Sequence, residues 1–373
     1  MSEHGSGQTP VRPTIHLLPA SPPAEPFARV AERAGVDDVV CLGLNEGQFG
    51  PFPAALEALE GLLPMLNRYP TRGSTELTEA LAERLHRPVE EVIVTAGADA
   101  AIGYACQAML DPGDAIVTPW PSFPSFVRDA QKRDAVPICV PLREGRVEVE
   151  ALLAAVTERT RLLFLATPNN QTGTAVTETE LRSLLERLPG HVLPVVDEAY
   201  FEFQDPGARV DSMEVGRALG RPLLVLRTFS KLYGLAGLRV GYAVGPATVV
   251  DAMRRVQRGY DVGAPGQVAA LASLGDTVEE ERRRLATGAG LARLTELLSR
   301  RGLEPLPGAA GNFLFVEVGE RAQELADALL AGGIVVQPAA PFGAPHALRI
   351  TVGTPGQVGR LAARLDALPG THA

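Results

Sequence analysis

Between residues 92 and 244 short apolar runs alternate with stretches of helical periodicity. Strands are expected at 92–95, 115–118, 136–140, 162–166, 192–196, 223–226 and 240–244. The run at 162–166 has no polar side chain. A strand that is apolar on both faces is covered on both, so the pattern predicts a mostly parallel sheet sandwiched by helices. Helices are expected at 97–110, 123–133 and 149–156, and one opens at a Thr177/Glu180 capping box. Upstream, helical patterns occupy 26–34, 53–63 and 75–86, with Ser74 as the N-cap of the last and a short strand at 39–44.

After residue 246 the rhythm changes. Long Arg/Glu-rich helices fill 246–301. Shorter strands at 313–317, 334–337 and 348–352 then alternate with helices at 321–331 and 355–367. The fold class is α/β: a large unit built on the mostly parallel sheet, plus a smaller α+β unit. A length of 373 residues fits two or three such units, and 46% apolar residues supply their cores.

The net charge of −9 argues against nucleic acid and against an anionic membrane surface as main partners. Cys41, Cys106 and Cys139 are odd in number and widely spaced, without a Cys-x-x-Cys. Neither a disulfide framework nor a metal site is implied, and the cytoplasm is the expected compartment. Residues 1–25 are rich in Pro, Ser and Gly and lack a signal-peptide core, so they are expected to form a disordered or draped arm. No apolar run approaches the ~18 residues of a membrane span.

Lys231 and Lys132 are the only lysines, and every other strongly basic residue is arginine. Lysine can lose its proton and form an imine with an aldehyde, which arginine cannot. Thr228, Ser230 and Arg239 flank Lys231 and suit a phosphate. An imine-forming amine beside a phosphate site points to pyridoxal phosphate. Ala98 and Asp99 begin a helix directly after a strand, where free N–H groups favour an anion. Asp197 ends a buried strand, as a helix cap or as the partner of a pyridine nitrogen. Asn170, in the turn 168–173, can donate to a ring oxygen. Phe123 is core or a stacking platform. Arg349 is a charge in an apolar strand, and needs either a structural salt bridge or a substrate carboxylate.

The order of these pieces along the chain resembles the fold-type-I pyridoxal phosphate enzymes of the aspartate aminotransferase superfamily. Within them it is most similar to the histidinol-phosphate aminotransferase group. The resemblance rests on Asn45–Pro51, Arg68-Tyr69-Pro70 with Glu76-Leu77, Gly97–Asp99, Pro168–Gly173, Val196–Tyr200, Arg227–Tyr242 and Leu348–Thr354. It implies a large cofactor-binding domain over 46–259, a small domain of 26–45 with 260–373, and a homodimer with shared active sites. It also assigns roles. Lys231 would bond the cofactor, Asp197 would pair with its ring nitrogen, and Asn170 and Tyr200 would hold its ring oxygen. Phe123 would stack on the ring. The main chain of Ala98 and Asp99, with Thr228, Ser230 and Arg239, would hold the phosphate, and Tyr69 would reach it from the partner subunit. Arg349 would bind the substrate α-carboxylate.

The chain departs from the group in four places. Gly47-Gln48 stands where the group has Asn-Pro, Gln171 where it has proline, and Gln337 where it often has a phosphate-associated arginine. Leu18-Pro19-Ala20-Ser21 occupies the place of a tyrosine-bearing arm. The expected function is amino transfer from an α-amino acid and not from histidinol phosphate. A decarboxylase, cyclase or oxidase with the same cofactor is the first alternative. A non-catalytic binding protein of the same fold is the second.

Overall fold

The computed structural model describes residues 11–20 and 24–368. Its helices are α1 Pro13–Leu17, α2 Phe27–Ala34, α3 Pro53–Leu62, α4 Thr75–Leu85, α5 Ala98–Met109, α6 Pro124–Lys132, α7 Val149–Ala154, α8 Glu178–Arg187, α9 Ser212–Leu219, α10 Ala247–Val256, α11 Ala264–Ser273, α12 Thr277–Ser299, α13 Ala322–Leu330 and α14 Pro355–Asp366. Its strands are β1 Val40–Cys41, β2 Val92–Thr95, β3 Ala115–Trp120, β4 Val136–Pro141, β5 Thr160–Ala166, β6 Leu193–Asp197, β7 Leu224–Thr228, β8 Gly241–Val244, β9 Phe313–Glu317, β10 Ile334–Val335, β11 Gln337–Pro338 and β12 Ala347–Thr351.

Seven strands form the main sheet in the order β2-β8-β7-β6-β5-β3-β4. All are parallel except β8, which runs against both its neighbours. The apolar pattern of β5 explains its place between β3 and β6. Leu162, Phe164 and Ala166 join the core on one face, Leu163 and Leu165 the core on the other. Phe164 stacks on Phe126 of α6 with centroids 4.8 Å apart. Truncating a fully buried ring of this kind to Ala costs about 3–5 kcal/mol. The core beneath α3 and α4 runs on through Val262, Ala269, Ala270 and Leu274, past the residue-259 edge read from the sequence, because α11 packs there.

A smaller antiparallel sheet, β11-β12-β9, and the pair β1-β10 lie with α12, α13 and α14 over a separate core of Val40, Leu42, Leu294, Leu314, Leu348 and Leu361. The 334–337 run is split between these two sheets. The expected strand at 39–44 shrinks to β1, since among the described residues its ladder partner is the two-residue β10.

The Thr177/Glu180 capping box forms as expected. Ser74 does not act as a side-chain cap. It sits in the left-handed region at φ +52°; its N–H donates to the Thr71 carbonyl at 3.2 Å and its carbonyl accepts the Thr78 hydroxyl at 3.0 Å. Helix α9 had no sequence expectation; Asp211 caps it by accepting from the N–H groups of Met213 and Glu214. Of the 1–25 arm, residues 1–10 and 21–23 lie outside the described residues. Helix α1 lies against α6, with Arg12 and Thr14 bound to Asp134. Among the described residues no helix is long and apolar enough to cross a membrane.

Candidate active site

Ligands of open α/β sheets sit beyond the carboxyl ends of the strands. Here β2, β3, β5, β6 and β7 end on one edge and deliver Ala98, Phe123, Asn170, Asp197 and Lys231 to it, at or just after their last residues. Because β8 runs the other way, it begins where they end. That reversal brings Arg239, two residues before β8, back to the same edge.

The anion cradle forms around the start of α5. Gly97 has φ +81°, and a Cβ there would lie 2.7 Å from the Arg239 guanidinium, so only glycine lets that side chain close over the helix start. The Arg239 guanidinium donates to the Ser230 hydroxyl at 3.4 Å. The Thr228 hydroxyl donates to Ser230 at 3.0 Å and accepts the Ser230 N–H at 3.1 Å. Ala98 opens the twelve-residue α5, whose first N–H groups have no partner within the helix. Asp99 turns its carboxylate to the Ser125 hydroxyl, leaving only its main chain at the cradle.

Asp197 is 6% exposed at the end of β6, and one carboxylate oxygen accepts the Ala199 N–H at 3.0 Å. Burial, followed by the charges of Asp99 and Glu198, pushes its pKa up to about 7, against the pull of Ala199 and Lys231. A cationic ring nitrogen beside it would remove that penalty.

The Lys231 amine donates to the carbonyls of Leu44 and Asn45 at 3.2 and 3.1 Å, and lies 5.8 Å from the Tyr200 ring centre. Its pKa is lowered to about 8, first by burial and then by the charge of Arg349. The loop carrying Asn45 is pressed onto the turn after Lys231. At Gly234, φ +71°, a Cβ would come within 2.4 Å of the Gly50 carbonyl oxygen.

Tyr200 is fully buried, and burial raises its pKa. Its phenolic oxygen accepts from the amides of Asn45 at 2.9 Å and Asn170 at 2.8 Å. A hydroxyl has two acceptor positions and one proton. Both positions are filled, so the proton is left for a third group.

Arg349 of β12 is 6% exposed. It donates to the Asn170 carbonyl at 2.9 Å, the Asn170 side-chain oxygen at 3.2 Å and the Gly43 carbonyl at 2.9 Å. Its Nε is buried without a partner, and no carboxylate pairs with it among the described residues. The structure therefore does not supply the salt bridge that the sequence left open.

Phe123 is half-buried at the start of α6, its ring edge-on to Phe126 at 5.8 Å. Tyr69 stands apart from this set: it is 83% exposed and stacks on Tyr260 at 4.9 Å.

A family model described as aminotransferase class I and II matches residues 37–365. The chain belongs to the aminotransferase class I and II family.

Two relatives cover nearly the whole chain. The histidinol-phosphate aminotransferase of Symbiobacterium thermophilum is 36% identical over 96% of this chain and 99% of its own. The aromatic amino acid aminotransferase of Thermobifida fusca is 41% identical over 91% and 92%. Among solved structures, a histidinol-phosphate aminotransferase from Sinorhizobium meliloti in complex with pyridoxal-5'-phosphate superposes with a TM-score of 0.87, at 28% identity and 98% coverage of both chains.

The residues of this aminotransferase fit that group. The cradle suits a phosphate, Asp197 a protonated ring nitrogen, and the free Tyr200 proton a ring oxygen. Sequence reasoning missed the residues that set these in place. Asn45 has φ +53°, and its side-chain oxygen accepts the Thr351 hydroxyl at 3.1 Å, which turns its amide toward Tyr200. Asn312 donates to the Asn45 and Glu46 carbonyls at 3.2 and 3.1 Å and so fixes the same loop. An asparagine in a loop already noted was the only signal for Asn45. Thr351 and Asn312 gave none, because both act across more than 260 residues of chain.

Proposed function

We propose that this aminotransferase is pyridoxal phosphate-dependent and acts on an α-amino acid with a neutral or aromatic side chain, not on histidinol phosphate. The observation that carries the reading is Arg349: a buried guanidinium without a carboxylate partner among the described residues, within reach of the same Asn170–Tyr200 pair that faces Lys231. A buried cation of this kind is completed by a substrate carboxylate gripped through two N–H groups.

The cofactor, when bound, supplies an aldehyde for the substrate amine and a ring that takes up the electron pair left at Cα. Lys231, with its pKa lowered to about 8, is suited to take a proton from Cα and return it elsewhere. Asp197 would keep the ring nitrogen protonated, and Tyr200 and Asn170 would donate to the ring oxygen. Arg349 fixes the substrate's orientation.

Substrate choice rests on Gln337. It pairs in register with Arg349 on the neighbouring strand and turns its neutral amide to the Pro338 carbonyl at 2.9 Å. Arg254 is committed to the carbonyls of Val89 and Val92, and Arg255 to Asp251. Comparing kcat/KM for histidinol phosphate with a panel of free amino acids tests the reading. A phosphate ester that wins by a wide margin overturns it; keto product formed one-for-one with amino transfer supports it over decarboxylation or oxidation.

The same reading places the enzyme in the cytoplasm as a homodimer. Tyr69 is exposed, as are Leu56, Leu63, Met65 and Leu66 just before it. A second copy on this face would cover them and receive Tyr69 at its phosphate. Light scattering with activity followed across dilution is the test, and a fully active monomer would remove Tyr69 from the site.

A further inference from the structure

Gln171 has no part in the site as assigned so far, yet it is fully buried against it. Its backbone N–H donates to the Asn169 side chain at 2.8 Å. Its side-chain NH2 donates to the side-chain oxygen of Asn170 at 3.0 Å and to the Ser122 carbonyl at 3.5 Å. The amide of Asn170 therefore has a fixed direction. Its oxygen receives two donors, Gln171 and Arg349, so its NH2 must face Tyr200. A flipped Asn170 would set NH2 against both donors and turn its oxygen to Tyr200, where it would draw the phenolic proton to itself.

The two donors are not equivalent. Arg349 is the group that a substrate carboxylate claims. When it turns to substrate, its bond to the Asn170 side chain competes with the new one. Gln171 has no such competing partner, since it is closed off from solvent. Proline at this position, as the group has it, offers neither the side-chain donor nor the backbone N–H.

We infer that Gln171 is a positioning residue that holds the Asn170 amide toward Tyr200 and the cofactor's ring oxygen while Arg349 is engaged by substrate. This rests on the cofactor reading above. The benefit is that substrate binding on one side of Asn170 does not loosen the ring contact on the other.

The test uses the cofactor-loaded enzyme and the pH at which the visible band of the Lys231-bound cofactor titrates. Donors on the ring oxygen disperse its negative charge, and that charge holds the proton on the Lys231 nitrogen. Losing an aligned donor therefore moves the titration to higher pH. Gln171→Glu keeps the shape and reverses the polarity facing Asn170. It should raise the titration point by about 0.5–1 pH unit, the size of one hydrogen bond. Gln171→Met removes the donor but leaves Arg349 in place. It should shift the resting titration little, and lower kcat severalfold with KM changed less than about twofold, as for an interaction used after substrate is bound. Overturning results are a Gln171→Glu band within about 0.2 unit of wild type, or a Gln171→Met enzyme with unchanged kcat. If wild-type protein forms no visible band at all, the cofactor reading fails first and takes this inference with it. A thermal melt on each variant separates these outcomes from misfolding.

Discussion

Two arginines sit in the middle of buried strands and have opposite surroundings. Arg227 of β7 is 4% exposed and Arg349 of β12 is 6% exposed. Arg227 is paired with Glu198 at 2.7 Å and Asp211 at 3.3 Å, and its guanidinium lies 3.6 Å from the Phe201 ring centre. Burial works against its charge, but Glu198, Tyr242 and Asp211 outweigh it and raise its pKa. Arg349 has carbonyl and amide oxygens but no carboxylate, and burial lowers its pKa. A buried charge whose countercharge is built into the chain holds structure together. One whose countercharge is missing suits the charge of a ligand, the role proposed for Arg349.

The largest expected effect is in the candidate site. Lys231→Ala should abolish both the borohydride-stable adduct and turnover. The loss of proton transfer alone is about 10²–10⁴-fold. An adduct that persists in this variant would move the bond to another residue.

The two arginines should then separate cleanly. Arg227→Met leaves Glu198 buried without a countercharge, held by the Ser212 N–H at 3.0 Å, and should cost about 3–5 kcal/mol in urea unfolding. Arg349→Leu should leave unfolding nearly unchanged but lower kcat/KM for amino acids by tens- to thousands-fold, or about 2–5 kcal/mol. If Arg349→Leu destabilises as much as Arg227→Met, the distinction between them collapses.

Asp197 belongs with Arg349, and pH sharpens the point. Its folded pKa, about 7, lies above the ordinary 3.8. Between those values the folded protein holds a proton that the unfolded chain has released. Its contribution to stability is therefore present at low pH and lost as pH rises through about 7. Lys231 shows the other sign. Its folded value, about 8, lies below 10.5, so stability is lowest below 8 and recovers as pH rises toward 10.5. In protein stripped of cofactor, Asp197→Asn should gain roughly 1–4 kcal/mol at pH 8 and nothing near pH 4. The same variant loaded with cofactor should lose mostly kcat. Equal stability at pH 8 would mean Asp197 carries no burial penalty.

Tyr69→Ala is the mildest change expected. Removing one hydrogen bond to a bound phosphate should weaken cofactor affinity roughly tenfold, read by titrating cofactor into the stripped protein. An unchanged affinity in the intact assembly would leave Tyr69 as a surface residue stacked on Tyr260.

Local pattern determined much of this protein. The apolar run of β5, the Thr177/Glu180 box and the scarcity of lysine around Lys231 are short-range signals. They predicted the central strands and a helix start correctly, and they singled out Lys231, which the fold sets beside Tyr200. Family resemblance carried over Asp197, Tyr200, Asn170 and Arg349 as site residues, and the fold brings those four together. Long-range geometry decided the rest. Only the reversal of β8 puts Arg239 over the start of α5, and only the fit around Gly97 leaves room for it. Asn45 reaches Tyr200 because Thr351, 306 residues away, turns its amide. Whether a carboxylate of the chain pairs with Arg349 could not be read from its strand, because the strand fixes its burial and not its neighbours. A side chain's polarity is written in one position, but its partner is supplied by whichever segment the sheet order folds against it.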